Sequence, residues 1–230
     1  YVVDLDANTI GTYDIYFTAS KDGYKVTSAH KTLKVTKATI PTSAITAPTA
    51  QENLTYTGQE QALIIAGSVT DYGTMQYSLT KNGRYSQNIP TGTDAGKYTV
   101  WYRVFGDANH KDTAPASVVV SIGKKPLPIS EVTVASKTYD GTTNADITDV
   151  TFDNVTLNRG TDYTVTASFD DAGVGDKNVT ATVTLMGQAA KNYALEQSSF
   201  TTTASITKAA APDFTKETTL VIVNGHEKTY

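Results

Sequence analysis

The amino-acid sequence predicts an all-β protein that is built from tandem repeats. Forty threonines and 14 tyrosines among 230 residues give a composition typical of strands, since β-branched and aromatic side chains suit a pleated, half-buried surface. Apolar and polar residues alternate with a period of two in several stretches, whereas none shows the 3.6-residue apolar period of an amphipathic helix. Two short motifs recur at intervals of roughly 85 residues, which is the mark of a repeat architecture.

The first recurring motif is a strand that opens on glycine and contains a central tyrosine. Gly11–Phe17 reads GTYDIYF and Gly96–Tyr102 reads GKYTVWY, while a weaker third copy, GDKNVTA, begins at Gly175. Each copy is followed by a further strand that ends in a basic residue. These recurrences divide the chain into four segments: residues 1–38 as the C-terminal part of a repeat, residues 39–124 and 125–208 as two full repeats, and residues 209–230 as the N-terminal strand of a further repeat.

The second motif marks the front of each repeat. Leu54–Gly58 reads LTYTG, Lys137–Gly141 reads KTYDG, and Lys228–Tyr230 repeats KTY. A proline close to each joint between repeats stiffens the chain there, so we expect short connectors and units whose partners are their neighbours along the chain. The two partial repeats leave unpaired strand edges, which favour pairing with another chain. Head-to-tail self-association through these ends is therefore expected.

The alternation predicts which face of each long strand packs on a core. The apolar positions of the three clearest strands are Tyr98, Val100, Tyr102 and Val104; Tyr163, Val165, Ala167 and Phe169; and Val179, Ala181, Val183 and Leu185. Frequent Asn-Gly and Asp-Gly turn signals indicate six or seven short strands in each repeat. This pattern favours immunoglobulin-like β-sandwiches arranged in tandem as an elongated rod. The alternative is a β-grasp unit with one short helix.

Two longer stretches of the sequence resemble known repeat families. KTYDGTT at 137–143 and DYTVTASFDDAGVGDKNVTATVTLMGQAAKNY at 162–193 resemble the YDG family of bacterial surface repeats. LTYTGQEQALI at 54–64 and IPTGTDAGKYTVWYRVFGDANH at 89–110 are similar to the related MBG-type repeats. The resemblance implies an extracellular place on a bacterial cell surface, wall-anchored or secreted, in a large adhesin-like protein. It carries no catalytic residues over. The repeats, the short joints and the lack of convergent polar groups predict a structural stalk that presents an adhesive or catalytic tip.

The composition argues against several other classes of function. The net charge of −4 is spread over interspersed acidic and basic residues, which does not suggest a nucleic-acid partner. No apolar run approaches the roughly 20 residues of a membrane-spanning helix, and the absence of cysteine excludes disulfides and thiolate metal sites. The three histidines, His30, His110 and His226, fall in different repeats. Since catalysis needs convergent groups, we expect no enzymatic activity and no required cofactor.

An outward-facing aromatic patch is the main candidate for a binding site. If the apolar face of the strand after Gly96 packs on the core, Trp101 and Phe105 point the other way. Tyr16 takes the place of Trp101 in the first segment, and Thr180 takes it in the third. Exposed aromatic rings can stack on sugar rings, so host glycans or mucin are the expected ligands if the patch binds anything. A loop that covers the patch is the alternative.

A loop rich in carboxylates is a weaker candidate, for calcium. Asp170, Asp171 and Asp176 lie close together in FDDAGVGDKN, and calcium is held by oxygen ligands from such loops. Lys177 lies in the middle of the loop, and Gly, Asp and Asn are also the ordinary turn residues. A polar hairpin turn is therefore the favoured interpretation.

Overall fold

The chain is all-β, as the sequence predicts. The computed structural model describes residues 9–211 and the backbone of residues 222–223 and 226–227. In that part of the chain the only helical elements are a 3-10 turn at Thr42–Ala44 and a six-residue helix, α1, at Gly187–Asn192. Two compact units are present: the described residues up to Lys125 with Lys191–Ala194, and Pro126–Ala190 with the described residues from Leu195 onward.

The first unit contains a hairpin and several small antiparallel sheets. Its strands are β1 (Gly11–Ala19), β2 (Thr27–Val35), β3 (Ile45–Thr46), β4 (Thr49–Ala50), β5 (Gln61–Ala62), β6 (Ile64–Ile65), β7 (Ser68–Val69), β8 (Gly73–Ser78), β9 (Thr91–Gly92), β10 (Gly96–Gly106) and β11 (Ala116–Ile122). Strand β10 is the centre of a three-stranded sheet, with β8 on one side and β11 on the other. The remaining pairs are β1 with β2, β3 with β7, β4 with β6, and β5 with β9.

The second unit is organised around a four-stranded sheet. Its strands are β13 (Ile129–Val134), β14 (Lys137–Thr138), β15 (Ile147–Phe152), β16 (Tyr163–Phe169), β17 (Gly175–Leu185) and β19 (Ser199–Thr207). Strands β12 (Lys125–Leu127) and β18 (Tyr193–Leu195) each include residues of both units. The sheet has the order β14-β19-β17-β16, in which the β14–β19 pair is parallel and the other two pairs are antiparallel. Strands β13 and β15 pair separately.

Residues 39–124 form nine strands, β3 to β11, where the sequence predicts six or seven. The excess comes from two-residue strands that prolines and glycines interrupt. Pro48 separates β3 from β4, and Gly67 separates β6 from β7. Proline cannot donate to a strand ladder and glycine weakens one, so these positions break long strands into short ones.

The predicted core faces of the long strands are confirmed. Val100 and Val104 are buried on β10, with Tyr98 and Tyr102 packed against the same cluster. In the second unit Val179, Ala181 and Val183 are buried along β17, and Tyr163, Val165 and Phe169 along β16. The period of two places these side chains on one side of each sheet, and burial of their apolar surface stabilises each unit.

Ser78 and Asn192 are buried polar side chains of the described residues, and both have hydrogen-bond partners. The Ser78 hydroxyl accepts a hydrogen bond from the Thr80 N–H at 3.2 Å. Asn192, in the segment that belongs to the first unit, accepts one from the Ala95 N–H at 2.9 Å and donates one to Asp94 at 3.0 Å. Such pairing offsets the desolvation of the polar groups.

Two features of the ends of the chain bear on the sequence predictions. Ile222–Val223 and His226–Glu227 pair as β20 and β21, while the KTY motif at Lys228–Tyr230 lies outside the described residues, as do residues 1–8 of the first partial repeat. No helix among the described residues is long and apolar enough to cross a membrane.

Candidate functional site

Trp101 and Phe105 lie on the face of β10 that points away from the core, as predicted. Their neighbours Val100 and Val104 are buried on the opposite face, because successive side chains of a strand alternate between its two faces. Phe105 is 48% exposed and Trp101 is half-buried. Ser78 of β8 lies directly opposite Trp101 in the sheet, so one side of the indole borders a small residue.

Cationic side chains lie over the outward aromatic rings. The Lys81 Nζ is 5.3 Å from the centre of the Trp101 ring. The Arg103 Cζ is 4.7 Å from the centre of the Tyr85 ring and 5.8 Å from that of Phe105. Each distance is within the range of a favourable cation–π interaction. The outer face is therefore a row in which aromatic rings and cations alternate.

The loop after β8 supplies half of this row. Residues 79–90 bring Lys81 and Tyr85 to the outer face of β10, and the Tyr85 hydroxyl donates a hydrogen bond to the Lys81 carbonyl at 2.8 Å. The sequence alone does not single out Lys81 or Tyr85 as site residues. The sequence signal for this loop is the turn at Lys81-Asn82-Gly83, which reverses the chain towards the sheet. The loop adds Lys81 and Tyr85 to the aromatic patch and also covers part of it.

Arg103 is held in place by several contacts. Its guanidinium is 3.5 Å from the Asp112 carboxylate and donates a long hydrogen bond of 3.5 Å to Gln76. The Nε of Arg103 is buried and has no hydrogen-bond partner. Burial raises the pKa of the Tyr85 hydroxyl, and the charge of Arg103 opposes this change. Arg103 thus has less freedom than Lys81 to meet a ligand.

The segments that form this face carry only positive charge. Strands β8, β10 and β11 and the loop at 79–90 contain Lys81, Arg84, Lys97 and Arg103, and no aspartate or glutamate. Lys97 is exposed and shares the outward side of β10 with Trp101. Arg84 lines an open groove of about 480 Å³ beside the loop, together with Ser86 and Asn88. The carboxylate of Asp112, from the segment after β10, offsets the charge of Arg103. Lys81, Arg84 and Lys97 remain as the excess cations of these segments, in a chain whose net charge is −4.

Tyr16, the counterpart of Trp101 in the first segment, is 77% exposed on β1. Its ring is 5.5 Å from that of His30, the residue opposite it on β2. The position is therefore aromatic and outward-facing, as predicted. The ring of Tyr16 contacts a histidine, whereas the ring of Trp101 contacts the ammonium of a lysine.

The three carboxylates considered for calcium are engaged with protein groups. Asp171 accepts hydrogen bonds from the Gly173 N–H at 2.6 Å and from the Lys177 ammonium at 2.7 Å, and these bonds lower the pKa of Asp171. Asp170 accepts one from the Asn178 amide at 3.1 Å, and Asp176 accepts one from the Ser205 hydroxyl. Among the described residues no group of three or more potential ligands is arranged to hold a metal ion.

The histidines with described side chains have separate partners. His30 contacts Tyr16, and His110 Nδ1 is 2.7 Å from the Asp107 carboxylate while its ring contacts Tyr72 edge-on. The hydrogen bond with His110 lowers the pKa of Asp107. The side chain of His226 lies outside the described residues.

The KTYDGTT motif forms a turn in which the Lys137 ammonium donates hydrogen bonds to Asp140 and Thr142. Lys137 Nζ donates to Asp140 at 2.8 Å and to the carbonyl and hydroxyl of Thr142 at 2.7 and 3.0 Å. Asp140 also accepts from the Thr142 N–H at 2.9 Å. The Lys137 hydrogen bond, with those from Thr142, lowers the pKa of Asp140 to about 2. Tyr139 is 47% exposed. The side-chain hydrogen bonds of the motif are made by Lys137, Asp140 and Thr142.

Comparison with known proteins supports one part of the chain directly. No curated protein matches this sequence. Residues 123–204 match the family model of the YDG domain. The match includes both KTYDGTT and the long stretch from 162 to 193 on which the resemblance rests. The resemblance to the YDG domain family is thus confirmed for residues 123–204.

Proposed function

We propose that the chain is a non-catalytic structural segment of a large bacterial surface protein. Its tandem units, each an immunoglobulin-like β-sandwich, form an elongated stalk that holds an adhesive or catalytic tip away from the cell. The partners of each unit in this proposal are the neighbouring repeats of the same protein. The location is extracellular, with the protein anchored to the wall or secreted.

The observation that carries this proposal is the recurrence of one strand design in two units. Strand β10 and strand β17 both open on glycine and both bury a valine at the fifth and ninth residues, Val100 and Val104 in one and Val179 and Val183 in the other. A structural element that recurs from unit to unit is typical of repeat proteins, in which each repeat contacts only its neighbours. The YDG match at 123–204 is consistent with such a module.

Small-angle X-ray scattering tests the elongated shape. A single globule of 230 residues has a radius of gyration of about 17 Å. A rod of tandem sandwiches should give a radius well above this value and a scattering curve with a cross-sectional Guinier region. A radius close to that of one globule would contradict the stalk.

Surface labelling tests the location. An antibody against residues 39–208 should stain intact cells that express the full-length protein, and protease treatment of intact cells should remove the signal. A signal that appears only after the cells are permeabilised would contradict an extracellular stalk.

A second function, carbohydrate binding, is favoured by the outer face of β10. Trp101 and Phe105 lie outward there, with Lys81 and Arg103 over aromatic rings. Aromatic faces pack on the apolar side of sugar rings, while neighbouring polar groups fix their hydroxyls. Host glycans or a glycoprotein such as mucin would be the ligands. Tyr16 on β1 offers a smaller surface of the same kind.

A mucin pull-down and a glycan array test this second function. Wild-type protein should bind and Trp101→Ala should lose binding by about tenfold or more, since ring stacking contributes directly to affinity. Thr180→Ala, at the equivalent position of β17, is the matched control and should bind like the wild type. Binding that survives Trp101→Ala would place any carbohydrate site elsewhere.

A further inference from the structure

We propose that the outer face of β10 selects acidic saccharides, sialylated or sulfated, over neutral ones. This inference rests on the proposed carbohydrate-binding function and names its substrate class. Trp101 supplies the stacking surface in this site, and Lys81 supplies the charge that distinguishes an acidic sugar from a neutral one.

Lys81 discriminates because its ammonium lies over the ring that a sugar would use. A neutral sugar that stacks on this face of Trp101 must displace the ammonium, which sits 5.3 Å from the ring centre. The displaced cation–π contact is lost and nothing replaces it. An acidic sugar displaces the same ammonium but offers it a carboxylate or a sulfate. The charge-assisted hydrogen bond then formed compensates for the lost contact.

The surroundings of Trp101 extend this preference beyond one lysine. The four segments that build the face carry four cations and no carboxylate. One of these cations, Arg103, forms an ion pair with Asp112 at 3.5 Å. Lys97 is exposed on the same side of the strand, and Arg84 lies in the groove beside the loop. A positive field of this kind attracts an anionic ligand and repels cationic ones.

The arrangement also favours saccharides with separated acidic groups. Lys97 lies four residues before Trp101 on an extended strand, which corresponds to a spacing of roughly 13 Å. Arg84 belongs to the same loop as Lys81 and lines a groove of about 480 Å³, which is within the size range of small-ligand sites. A chain of several sugars with an acid on some of them can reach more than one cation.

Isothermal titration of the full chain with lactose, sialyllactose and sulfated lactose tests the inference, because these ligands share one neutral core. The acidic ligands should bind about five- to tenfold more tightly than lactose at low salt. The preference should shrink as salt is added, since exposed charges are screened. Unequal binding of the two acidic ligands would show which source of negative charge the site prefers.

Lys81→Gln gives the most discriminating result, since the two ligand types should respond in opposite directions. Acidic ligands should bind about two- to fivefold more weakly, because the partner of the acid is lost. Lactose should bind about two- to fivefold more tightly, because no cation–π contact has to be broken. Lys81→Arg, which keeps the positive charge, should retain the preference for acidic ligands over lactose. Lys25→Gln, a charge change in the exposed turn of the β1–β2 hairpin, should alter neither.

The outcomes separate this inference from the function on which it rests. Equal affinity for all three ligands would overturn acidic selectivity and leave carbohydrate binding intact. No binding of any ligand would overturn both. A weakening of both ligand types by Lys81→Gln would contradict the displacement role of Lys81. Tighter binding of a single-stranded oligonucleotide than of sialyllactose would also overturn the inference, because bases stack on aromatic rings beside cations as well.

Discussion

Strands β10 and β17 share two buried valine positions on their inner faces and differ along their outer faces. Val100 and Val104 of β10 correspond to Val179 and Val183 of β17, and all four are buried. On the outer side, Trp101, Arg103 and Phe105 in the first unit correspond to Thr180, Thr182 and Thr184 in the second. The two valine positions are kept, whereas Tyr98 and Tyr102 of the same face are replaced by Lys177 and Ala181, and every outer position has changed.

The two faces differ because the inner one must pack in a core, whereas the outer one needs only residues that suit a strand. A buried valine fits a closely packed interior in which a change of one methylene affects stability. An outer position needs only a residue that suits a strand, and threonine does so well. Departures from threonine on the outer face therefore need another explanation. In the first unit that explanation is the proposed binding face, which we infer to be acquired on a scaffold that does not depend on it.

The largest effect is expected from changes to the buried valines that the two strands share. Val104→Ala and Val183→Ala each remove two methyl groups from sites that are 1% exposed. Each should lower the free energy of unfolding of its own unit by about 2 kcal/mol, through lost burial and an unfilled cavity. Amide NMR signals followed through a urea titration report each unit separately. A loss in one unit that is less than half that in the other would contradict the equivalence of these two valine positions.

A smaller, paired effect is expected at the turn that opens each repeat. Gly58 has a φ of +78° and Gly141 a φ of +79°, a left-handed conformation that costs other residues roughly 1 to 2 kcal/mol. The space around both is open: a Cβ at Gly58 would meet nothing closer than 3.8 Å, and one at Gly141 nothing within 4 Å. Gly58→Ala and Gly141→Ala should thus each cost about 1 kcal/mol, from backbone strain alone.

Thermal unfolding measures this cost, with asparagine as the matched replacement. Asparagine enters the left-handed region more readily than alanine, so Gly58→Asn and Gly141→Asn should recover part of the loss. Should asparagine and alanine be equally destabilising, the cause would be something other than the backbone angle.

The inner faces and the turns could be predicted from the sequence, whereas the outer site could be predicted only in part. Alternation along β10 fixes the side of Trp101 and Phe105, because it is a property of the strand itself. Lys81 and Tyr85 come from a loop about 20 residues away along the chain. Their position depends on how that loop folds back over the sheet, and no periodic pattern encodes it. The hydrogen bonds of Lys137 in KTYDGTT cannot be predicted from the sequence either, because they depend on the turn geometry.

The two repeat-opening turns should also differ in their response to acid. In the second unit Asp140 accepts the Thr142 N–H, and its pKa is about 2 in place of the usual 3.8. In the first unit the uncharged Thr57 accepts the Gln59 N–H at 3.3 Å in the same way. A lowered carboxyl pKa stabilises the fold above about pH 4, and this stabilisation is lost as the pH falls towards 2.

Asp140→Thr converts the second turn to the chemistry of the first and tests this difference. The variant should have a lower melting temperature than the wild type at neutral pH, and the gap should close as the pH falls from about 4 to 2. Thr57→Val is the control: it lacks a titrating group, so any loss should not change over that range. A gap for Asp140→Thr that stays constant down to pH 2 would show that the ion pair with Lys137 does not contribute.

The smallest effect is expected on the outer face of the second unit. Thr180 and Thr182 are exposed on β17, and Thr180→Val and Thr182→Val keep the branched shape that suits a strand. Each should change the free energy of unfolding by less than about 0.5 kcal/mol and leave mucin binding unchanged, while Trp101→Thr in the first unit should weaken that binding by about tenfold or more. Loss of mucin binding in Thr180→Val would move the site to the threonine face. The tryptophan, arginine and phenylalanine of β10 would then need a structural explanation, in contacts with the loop at 79–90.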